Sequence, residues 1–242
     1  MIKKALKKLA ALSGLQIDKL NVASSPAYQT VQALKTHHIN VVFDVGANIG
    51  QFANELRLHG YKGKIISFEP LSEAYAKLIL AAKGDKNWII HPRCAVGATA
   101  GEIEINVAGN SVSSSILPML AAHENAAPQS KYTHKQMVPL ICLNEVFAKY
   151  VSDSDKVFLK IDTQGYEAAV LEGADKILSH CTGVLLELSL VPLYAGQILW
   201  QELIANLVKT NHHIYALQTG FINNETGQTL QLDGLFFSKL GA

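Results

Sequence analysis

Residues 41–50 constrain the fold more than any other part of the sequence. They read Val-Val-Phe-Asp-Val-Gly-Ala-Asn-Ile-Gly, an apolar, β-branched run that passes directly into a turn with two glycines. Such a run is typical of a parallel strand buried on both faces, and the glycines let the backbone turn tightly and approach a ligand. We therefore predict a central strand over 41–45 and a helix over 51–59, with Gly46 and Gly50 bracketing the entry to that helix.

Two acidic residues stand where neighbouring strands end. Asp44 closes the first strand, and Glu69 follows the second predicted strand, 64–68. The loop after Asp44 reads D-x-G-x-x-x-G, unlike the G-x-G-x-x-G of dinucleotide sites, and a carboxylate there would repel a diphosphate. It would attract an ammonium and a sulfonium, while Glu69 could accept hydrogen bonds from a ribose diol. The pair favours S-adenosylmethionine as cofactor; the alternative is that Asp44 only caps the next helix and Glu69 is solvated.

Strand and helix patterns alternate along most of the chain, which predicts an α/β fold with a mainly parallel sheet and helices on both faces. The predicted strands are 41–45, 64–68, 87–91, 156–161, 183–188, 213–217 and 232–238. The predicted helices are 51–59, 72–83, 166–179 and 196–209. A turn-rich segment joins the last two strands, so we expect them to form an antiparallel hairpin that closes the sheet. Ligands bind at the carboxyl ends of the strands in such sheets, where the sequence has Asp44, Glu69, Asp162 and Glu187.

The middle of the chain departs from this alternation. Residues 101–107 alternate apolar and acidic residues like a half-exposed strand, and residues 108–136 are rich in Ser, Ala, Asn and Pro. Long loops inside a compact domain are usually binding loops or lids. We expect 108–136 to be a lid that contains Ser113, Ser114 and Ser115, the alternative being a passive surface loop.

Length and charge narrow the class of protein. The 242 residues fit one α/β domain over 39–242, preceded by a helical extension over 1–38. The formal charge of +1 offers no electrostatic footprint for nucleic acid, so we expect a small-molecule or glycan partner. Three scattered cysteines favour a reduced, cytoplasmic protein without disulfides or structural zinc. The nine histidines show no metal-ligand spacing, and we predict no bound metal.

The first twelve residues form a basic amphipathic pattern. Lysines alternate with apolar residues at helical spacing, which is compatible with a helix on an anionic membrane or with one that packs on the domain edge. We expect the second arrangement, and no stable insertion into a membrane, since no apolar run is long enough to span one. The sequence is compatible with a homo-oligomer, but it does not specify an oligomeric state.

Several motifs, taken in order, resemble the FkbM family of S-adenosylmethionine-dependent methyltransferases. They are FDVGANIGQF (43–52), ISFEP (66–70), AVG (95–97), SSSIL (113–117), VFLKIDTQGYEAAVLEGA (157–174), LLELSLVPLYAGQ (185–197) and DGLFF (233–237). The resemblance covers the chain from about residue 39 onward. It implies a class I methyltransferase fold, Rossmann-like, with a seven-stranded sheet whose last strand is antiparallel, and O-methylation of a hydroxyl on a sugar, glycan or secondary metabolite.

The resemblance also implies which residues surround the cofactor. The DVGAN match puts Asp44, Gly46 and Asn48 near the methionyl part, the FEP match puts Glu69 on the ribose, and the segment from Cys94 to Val96 lines the adenine. The full set of implied cofactor residues is Asp44, Gly46, Ala47, Asn48, Gly50, Phe52, Glu69, Pro70, Cys94, Ala95, Val96 and Asp162. Many methyltransferases of this fold carry an acid after the third strand, whereas this chain has Arg93 and Cys94 there.

A hydroxyl acceptor needs a general base, because it is a poor nucleophile at neutral pH. Asp162 is the first choice, since it ends the fourth strand beside the first; its alternative role is to cap the helix at 166–179. Glu187 is the second choice, and Glu167 is expected to be structural because it lies in the first turn of a helix. Tyr194 and the serines 113–115 are candidate acceptor contacts. An NAD-linked oxidoreductase and a non-catalytic cofactor-binding domain are the competing hypotheses.

Overall fold

A seven-stranded sheet forms the centre of the structure, a computed structural model that describes residues 2–238. The strands of this sheet are β1 (Val41–Val45), β2 (Lys64–Phe68), β3 (Trp88–Ile90), β7 (Val157–Ile161), β8 (Cys181–Ser189), β9 (His212–Thr219) and β10 (Gln231–Ser238). Their order across the sheet is β3-β2-β1-β7-β8-β10-β9. β10 runs antiparallel to β8 and β9, and β1 pairs in parallel with β2 and β7. The predicted sheet, with its antiparallel last strand, is confirmed.

Helices cover both faces of the sheet, as predicted. One face carries α2 (Pro26–Thr36), α3 (Gln51–Leu58) and α4 (Ser72–Ala81), and the other carries α6 (Leu143–Val146), α7 (Glu167–Glu172) and α8 (Trp200–Lys209). Each face buries its own apolar cluster, so the strands are apolar on both sides. The carboxyl ends of the parallel strands remain free at one edge, and the functional cavity lies there.

Two helices are shorter than their apolar patterns suggest. The pattern predicts a helix over 166–179, but α7 ends at Glu172 and a 3-10 turn follows at Leu178–His180. Ile177 and Leu178 are nevertheless buried in the core, so the apolar period reports burial and not a continuous helix. The last helix begins at Trp200 instead of 196, after an extended Leu199.

The N-terminal region divides into two parts. The described side chains of α1 (Ile2–Leu12) are exposed except that of Ala10. The expected packing of this helix on the domain edge is therefore not seen. α2 instead belongs to the domain, because its Val31, Ala33 and Leu34 are buried in the same cluster as the sheet. The structure therefore places 26–38 within the domain and not in an extension. In the described chain, no helix has the length and apolarity needed to cross a membrane.

The middle segment contributes a second, three-stranded sheet. Its strands are β4 (Ala95–Val96), β5 (Gly101–Ala108) and β6 (Tyr132–Ile141), in the order β4-β6-β5. The intervening residues include α5 (Ala121–Ala126), and isolated bridges pair Asn106 with Ser115 and Met119 with Tyr194. Much of 108–136, expected to be a lid, thus packs against neighbouring strands and loops.

Candidate active site

A cavity of about 310 Å³ opens at the carboxyl ends of the strands, around the end of β1. Its lining comes from both halves of the strand order, on either side of β1 and β7. On one side lies what we call the loop wall: Gly46, Ala47, Asn48, Glu69 and the segment from Cys94 to Val96. On the other side lies what we call the far wall: Thr30, Gln218 and Asp233.

A buried charge cluster forms the base of the cavity. Asp44 is fully buried, accepts a hydrogen bond from the Ser67 hydroxyl at 3.1 Å, and lies 3.2 Å from the Lys160 ammonium. Lys160 also donates to the Gly46 carbonyl at 2.9 Å and lies 3.6 Å from an Asp162 carboxylate oxygen. Asp44 is not part of the cavity lining. The negative charge of Asp44 is thus already balanced by Lys160. The sequence-based expectation that Asp44 attracts a cationic cofactor did not include this lysine.

Lys160 stays protonated despite its burial. Burial acts to lower the pKa of the lysine, but the carboxylates of Asp44 and Asp162 outweigh it and hold the pKa above its ordinary value. The lysine therefore joins the ends of β1 and β7 through charge as well as hydrogen bonds. A single lysine inside an otherwise apolar strand, VFLKI, was the sequence signal for this role.

The turn after β1 depends on close backbone packing. Gly46 has φ +76°, and a Cβ there would lie 1.8 Å from the carbonyl oxygen of Asp162. Gly50 has φ +92°, and a Cβ there would meet the Trp88 ring at 2.7 Å. Gly46 lines the cavity, whereas Gly50 holds α3 against β3 and lies outside the lining.

Glu69 is buried in the loop wall, and only 3% of it is exposed. Its two oxygens accept hydrogen bonds from the backbone N–H groups of Asn48, at 2.7 Å, and Leu71, at 2.8 Å. Burial raises the pKa of Glu69 to about 7, and these two hydrogen bonds oppose that rise. Glu69 is therefore not the solvated strand-end charge of the alternative hypothesis. Each oxygen retains a lone pair for a further donor such as a ribose hydroxyl.

The segment from Cys94 to Val96 is the apolar part of the loop wall. Cys94, Ala95 and Val96 are buried beside Ile105 of β5. Burial, with the nearby Glu69, raises the pKa of the Cys94 thiol to about 12, so the side chain is a neutral apolar group. The neighbouring Arg93 donates to the Pro70 carbonyl at 2.8 Å. The segment from Cys94 to Val96 therefore offers a flat aromatic base apolar contact and has no carboxylate of its own.

Gln164 joins the acids at the ends of β7 and β8. Its amide nitrogen donates to Asp162 at 2.8 Å and to both oxygens of Glu187 at 3.0 Å, and its amide oxygen accepts from the Tyr194 hydroxyl at 2.8 Å. Burial and the nearby charges of Asp162 and Glu167 raise the pKa of Glu187 well above its ordinary value. Glu187 is not part of the cavity lining, whereas Asp162 is.

Asp162 does not cap the following helix. The turn before α7 is held by Glu167, which accepts from the backbone N–H groups of Thr163, at 2.9 Å, and Gly165, at 3.1 Å. Burial raises the pKa of Glu167 to about 7. Glu167 therefore has the structural role expected of it, and Asp162 faces the cavity with its side chain 36% exposed.

The far wall was not anticipated from the sequence. Asp233 on β10 lies opposite Glu187 on one side and opposite Gln218 of β9 on the other, in register. Gln218 donates from its amide to the Thr30 hydroxyl at 3.2 Å and to the Pro26 carbonyl at 3.1 Å, which ties β9 to α2. Burial and the neighbouring Asp162 charge raise the pKa of Asp233 to about 7. Within residues 2–238, no hydrogen bond to the Asp233 carboxylate is made.

The predicted site residues fall into two groups. The cavity lining includes Gly46, Ala47, Asn48, Phe52, Glu69, Pro70, Cys94, Ala95, Val96, Ser114 and Asp162. The residues outside it are Asp44, Gly50, Ser113, Ser115, Glu187 and Tyr194.

Ser113, Ser115 and Tyr194 hold the middle segment in place, in contrast to the acceptor contacts expected of them. The Ser115 hydroxyl donates to the Gln164 carbonyl at 2.6 Å, and the Tyr194 hydroxyl lies 3.3 Å from the Ser113 carbonyl. All three are buried, and none of them lines the cavity. Among these serines, only Ser114 reaches the lining.

The cavity suits a cationic nucleoside cofactor. Its charged lining residues are Glu55, Glu69, Asp162 and Asp233 against a single lysine, Lys160, whose ammonium is engaged by Asp44 and backbone carbonyls. The buried Glu69 can accept from a ribose, and the apolar segment from Cys94 to Val96 can contact adenine. In the part of the chain described, no group of three His, Cys, Asp or Glu side chains is placed to hold a metal ion.

Comparison with known proteins identifies one family. A family model described as the methyltransferase FkbM domain matches residues 44–220. No curated protein matches the sequence.

Three solved structures illustrate the structural similarity. They are a protein from Pyrococcus horikoshii (TM-score 0.48, 15% identity, 100% of each chain covered), TehB from Haemophilus influenzae (0.47, 13%, 87% of this chain and 62% of that one) and Aeropyrum pernix fibrillarin with bound S-adenosyl-L-methionine (0.45, 10%, 87% and 75%). These similarities carry no information on the acceptor.

Proposed function

The chain belongs to the FkbM family of S-adenosylmethionine-dependent methyltransferases, and on that premise we propose that it methylates a hydroxyl oxygen of a sugar, glycan or secondary metabolite. The family assignment makes S-adenosylmethionine the cofactor, so the NAD-linked and the non-catalytic alternatives are set aside.

The loop wall is the proposed cofactor side. Glu69 would bind the ribose, the segment from Cys94 to Val96 would contact the adenine, and Asn48 and Asp162 would face the methionyl part. Asp44 is proposed to act beneath this site, by keeping Lys160 charged and β1 joined to β7. When bound, S-adenosylmethionine supplies a methyl group on a sulfonium that is already an activated leaving group.

Asp233 is the proposed general base. Both oxygens of Glu187 accept from Gln164, and Asp162 is engaged by Gln164 and Lys160, whereas the Asp233 carboxylate faces the cavity without a hydrogen bond from residues 2–238. Its pKa of about 7 is close to the value at which a base works best at neutral pH. We therefore transfer the base role expected of Asp162 to Asp233, which would take the proton of the acceptor hydroxyl.

The observation that carries the choice of a hydroxyl acceptor is the far wall itself. A carboxylate, an amide and a hydroxyl, from Asp233, Gln218 and Thr30, face the cavity together. Such groups pair with the hydroxyls of a neutral acceptor. The lining carries four carboxylates and one engaged lysine, so it would repel the phosphates of a nucleic acid. A neutral polyhydroxylated acceptor fits this wall best.

Asn substitutions distinguish the two acids at the cavity. We expect Asp233→Asn to lower kcat by about 10²- to 10⁴-fold, the usual contribution of a general base, and to abolish the rise of the rate with pH through about 7. Asp162→Asn removes the charge that helps raise the pKa of Asp233, so the rise should move to lower pH. Glu202→Gln, at an exposed position of α8, is the matched control. An unchanged pH profile in Asp233→Asn would show that the base is another residue.

The acceptor class can be tested with S-adenosylmethionine labelled in its methyl group. The protein would be incubated with panels of sugars, glycans, hydroxylated metabolites and RNA, and the labelled products identified by mass spectrometry. A methyl ether survives mild alkali, whereas a methyl ester does not, so alkali treatment separates transfer to a hydroxyl from transfer to a carboxylate. Labelling of RNA alone, or of a nitrogen or carbon atom, would contradict the proposal.

A further inference from the structure

The first helix presents an uncovered apolar side to solvent. Leu6 is 52% exposed, Leu9 64% and Leu12 79%. At about 100° per residue, these three side chains lie within about 120° of one another around the helix. An apolar stripe of this width normally packs against a core, and here the described residues leave it open.

The apolar surface continues past the end of α1. Leu15, Ile17, Leu20 and Val22 are each about half exposed or more. The series of exposed apolar side chains therefore continues to Val22, shortly before α2 begins at Pro26. Leu15 follows directly on the helix, since its backbone N–H donates to the Ala10 carbonyl at 2.8 Å. Residues 6–22 thus carry seven exposed large apolar side chains in close succession, and we call this segment the N-terminal strip. Scattered exposed leucines are normal, but a strip of this extent indicates an interaction surface.

Positive charge borders this strip. Lys4, Lys7 and Lys8 are exposed. At about 100° per residue, Lys4 and Lys7 lie on the side of α1 opposite the leucines, and Lys8 lies at the edge of the leucine side, next to Leu12. Residues 1–20 contain five lysines and a single acid, Asp18. Asp18 lies 3.1 Å from Lys7, and because both side chains are largely exposed, this pair contributes little stability and opens easily.

We propose that the N-terminal strip is a peripheral membrane-binding element that lies flat on a bilayer containing anionic lipids. Apolar side chains would enter the boundary between headgroups and acyl chains, while the lysines contact the lipid phosphates. The leucines on one side of α1 match the apolar interior of the bilayer, and the lysines match its negatively charged headgroups. A second copy of the strip is a poorer occupant, because its lysines would repel those of the first.

The strip also lies close in sequence to the cavity. Val22 is followed by Ser25, whose side chain caps α2, and then by Pro26 and Ala27, which line the cavity. Docking of the strip would therefore hold one wall of the cavity near the membrane surface. The inference rests on the strip alone and is independent of the acceptor proposed above.

Vesicle flotation with the full chain tests this inference. We expect the protein to float with vesicles of phosphatidylcholine mixed with phosphatidylglycerol, and to bind pure phosphatidylcholine far more weakly. The triple variant Lys4→Gln, Lys7→Gln, Lys8→Gln keeps the apolar side and should bind the mixed vesicles about a hundredfold more weakly. Added salt should weaken binding of the wild type in the same direction.

The leucine variant and its control separate membrane binding from a general loss of apolar surface. Leu6→Ser, Leu9→Ser, Leu12→Ser should abolish flotation, whereas Leu58→Ser with Leu80→Ser removes leucines that are as exposed, on α3 and α4, and should leave it intact. S-adenosylhomocysteine binding should be unchanged in every variant, which shows that the domain is folded. No flotation of the wild type, equal flotation of the leucine variant, or self-association that those serines abolish would overturn the inference.

Discussion

The two walls of the cavity are built in different ways. The loop wall comes from short segments in which the functional residue directly follows a strand, as Glu69 follows β2. The far wall joins residues that are distant in sequence, with Gln218 of β9 bonded to Thr30 of α2 across 188 positions. Motifs identify the first kind of wall because its chemistry is local. The second kind depends on how the sheet and helices pack: the DGLFF motif contains Asp233, but it does not show that Gln218 and Thr30 lie beside it.

The two walls also use acids differently. In the loop wall, Glu69 is buried and bonded by two backbone N–H groups, so it is fixed in place and suited to binding. In the far wall, the Asp233 carboxylate has no hydrogen bond from residues 2–238 and is available for proton transfer. Between them, Lys160 joins the strands that both walls depend on.

Replacement of Lys160 should have the largest effect, because it lies between the two walls. Lys160→Met leaves Asp44 fully buried without its cation, and removal of one partner of a buried ion pair costs about 3–5 kcal/mol of unfolding free energy. Denaturant unfolding measures this loss. The double variant Lys160→Met with Asp44→Asn should recover part of it. A single variant as stable as the wild type would show that the pair does not join the strands.

A second large effect is expected at the glycine of the loop wall. Gly46→Ala requires both a left-handed φ and space occupied by the Asp162 carbonyl, and we expect a loss of about 3 kcal/mol. Gly84→Ala is the matched control, since Gly84 has φ +91° but open space around it, so only about 1 kcal/mol of backbone strain should appear. Equal losses in the two variants would mean that the contact at Gly46 relaxes freely.

The sequence predicts the local elements of this fold better than the contacts between distant elements. The strands 41–45 and 64–68 have the predicted bounds, since buried parallel strands are apolar throughout and turns bound them. The half-exposed strand expected over 101–107 is present as β5, but its pairing with β6 in a second sheet was not predicted. The inclusion of α2 in the domain and the exposure of α1 were not predicted either, because amphipathic patterns do not specify the packing partner. The sequence favoured a place for Asp44 beside the cofactor, because its ion-pair partner could not be identified from the sequence. That partner, Lys160, is 116 residues away, and only the fold brings the two side chains together.

Glu69→Gln tests the loop wall by cofactor binding. The amide keeps the size of the side chain but loses the charge and one acceptor for the N–H groups of Asn48 and Leu71. We expect S-adenosylhomocysteine to bind about ten- to a hundredfold more weakly by calorimetry. The KM of the acceptor should stay unchanged. Glu73→Gln, four residues further along the chain at an exposed position in the first turn of α4, should bind normally. Normal binding by Glu69→Gln would remove the ribose role.

Gln218→Ala tests the far wall and should have the smallest effect. It removes the amide that bonds Thr30 and Pro26, at a cost of about 1 kcal/mol in stability. If the far wall holds the acceptor, the KM of the acceptor should rise about fivefold to tenfold while the Kd of S-adenosylhomocysteine stays constant, which is the reverse of the Glu69→Gln result. Gln201→Ala, at an exposed position of α8, is the control. A weaker cofactor Kd in Gln218→Ala would show that the two walls are not separate binding surfaces.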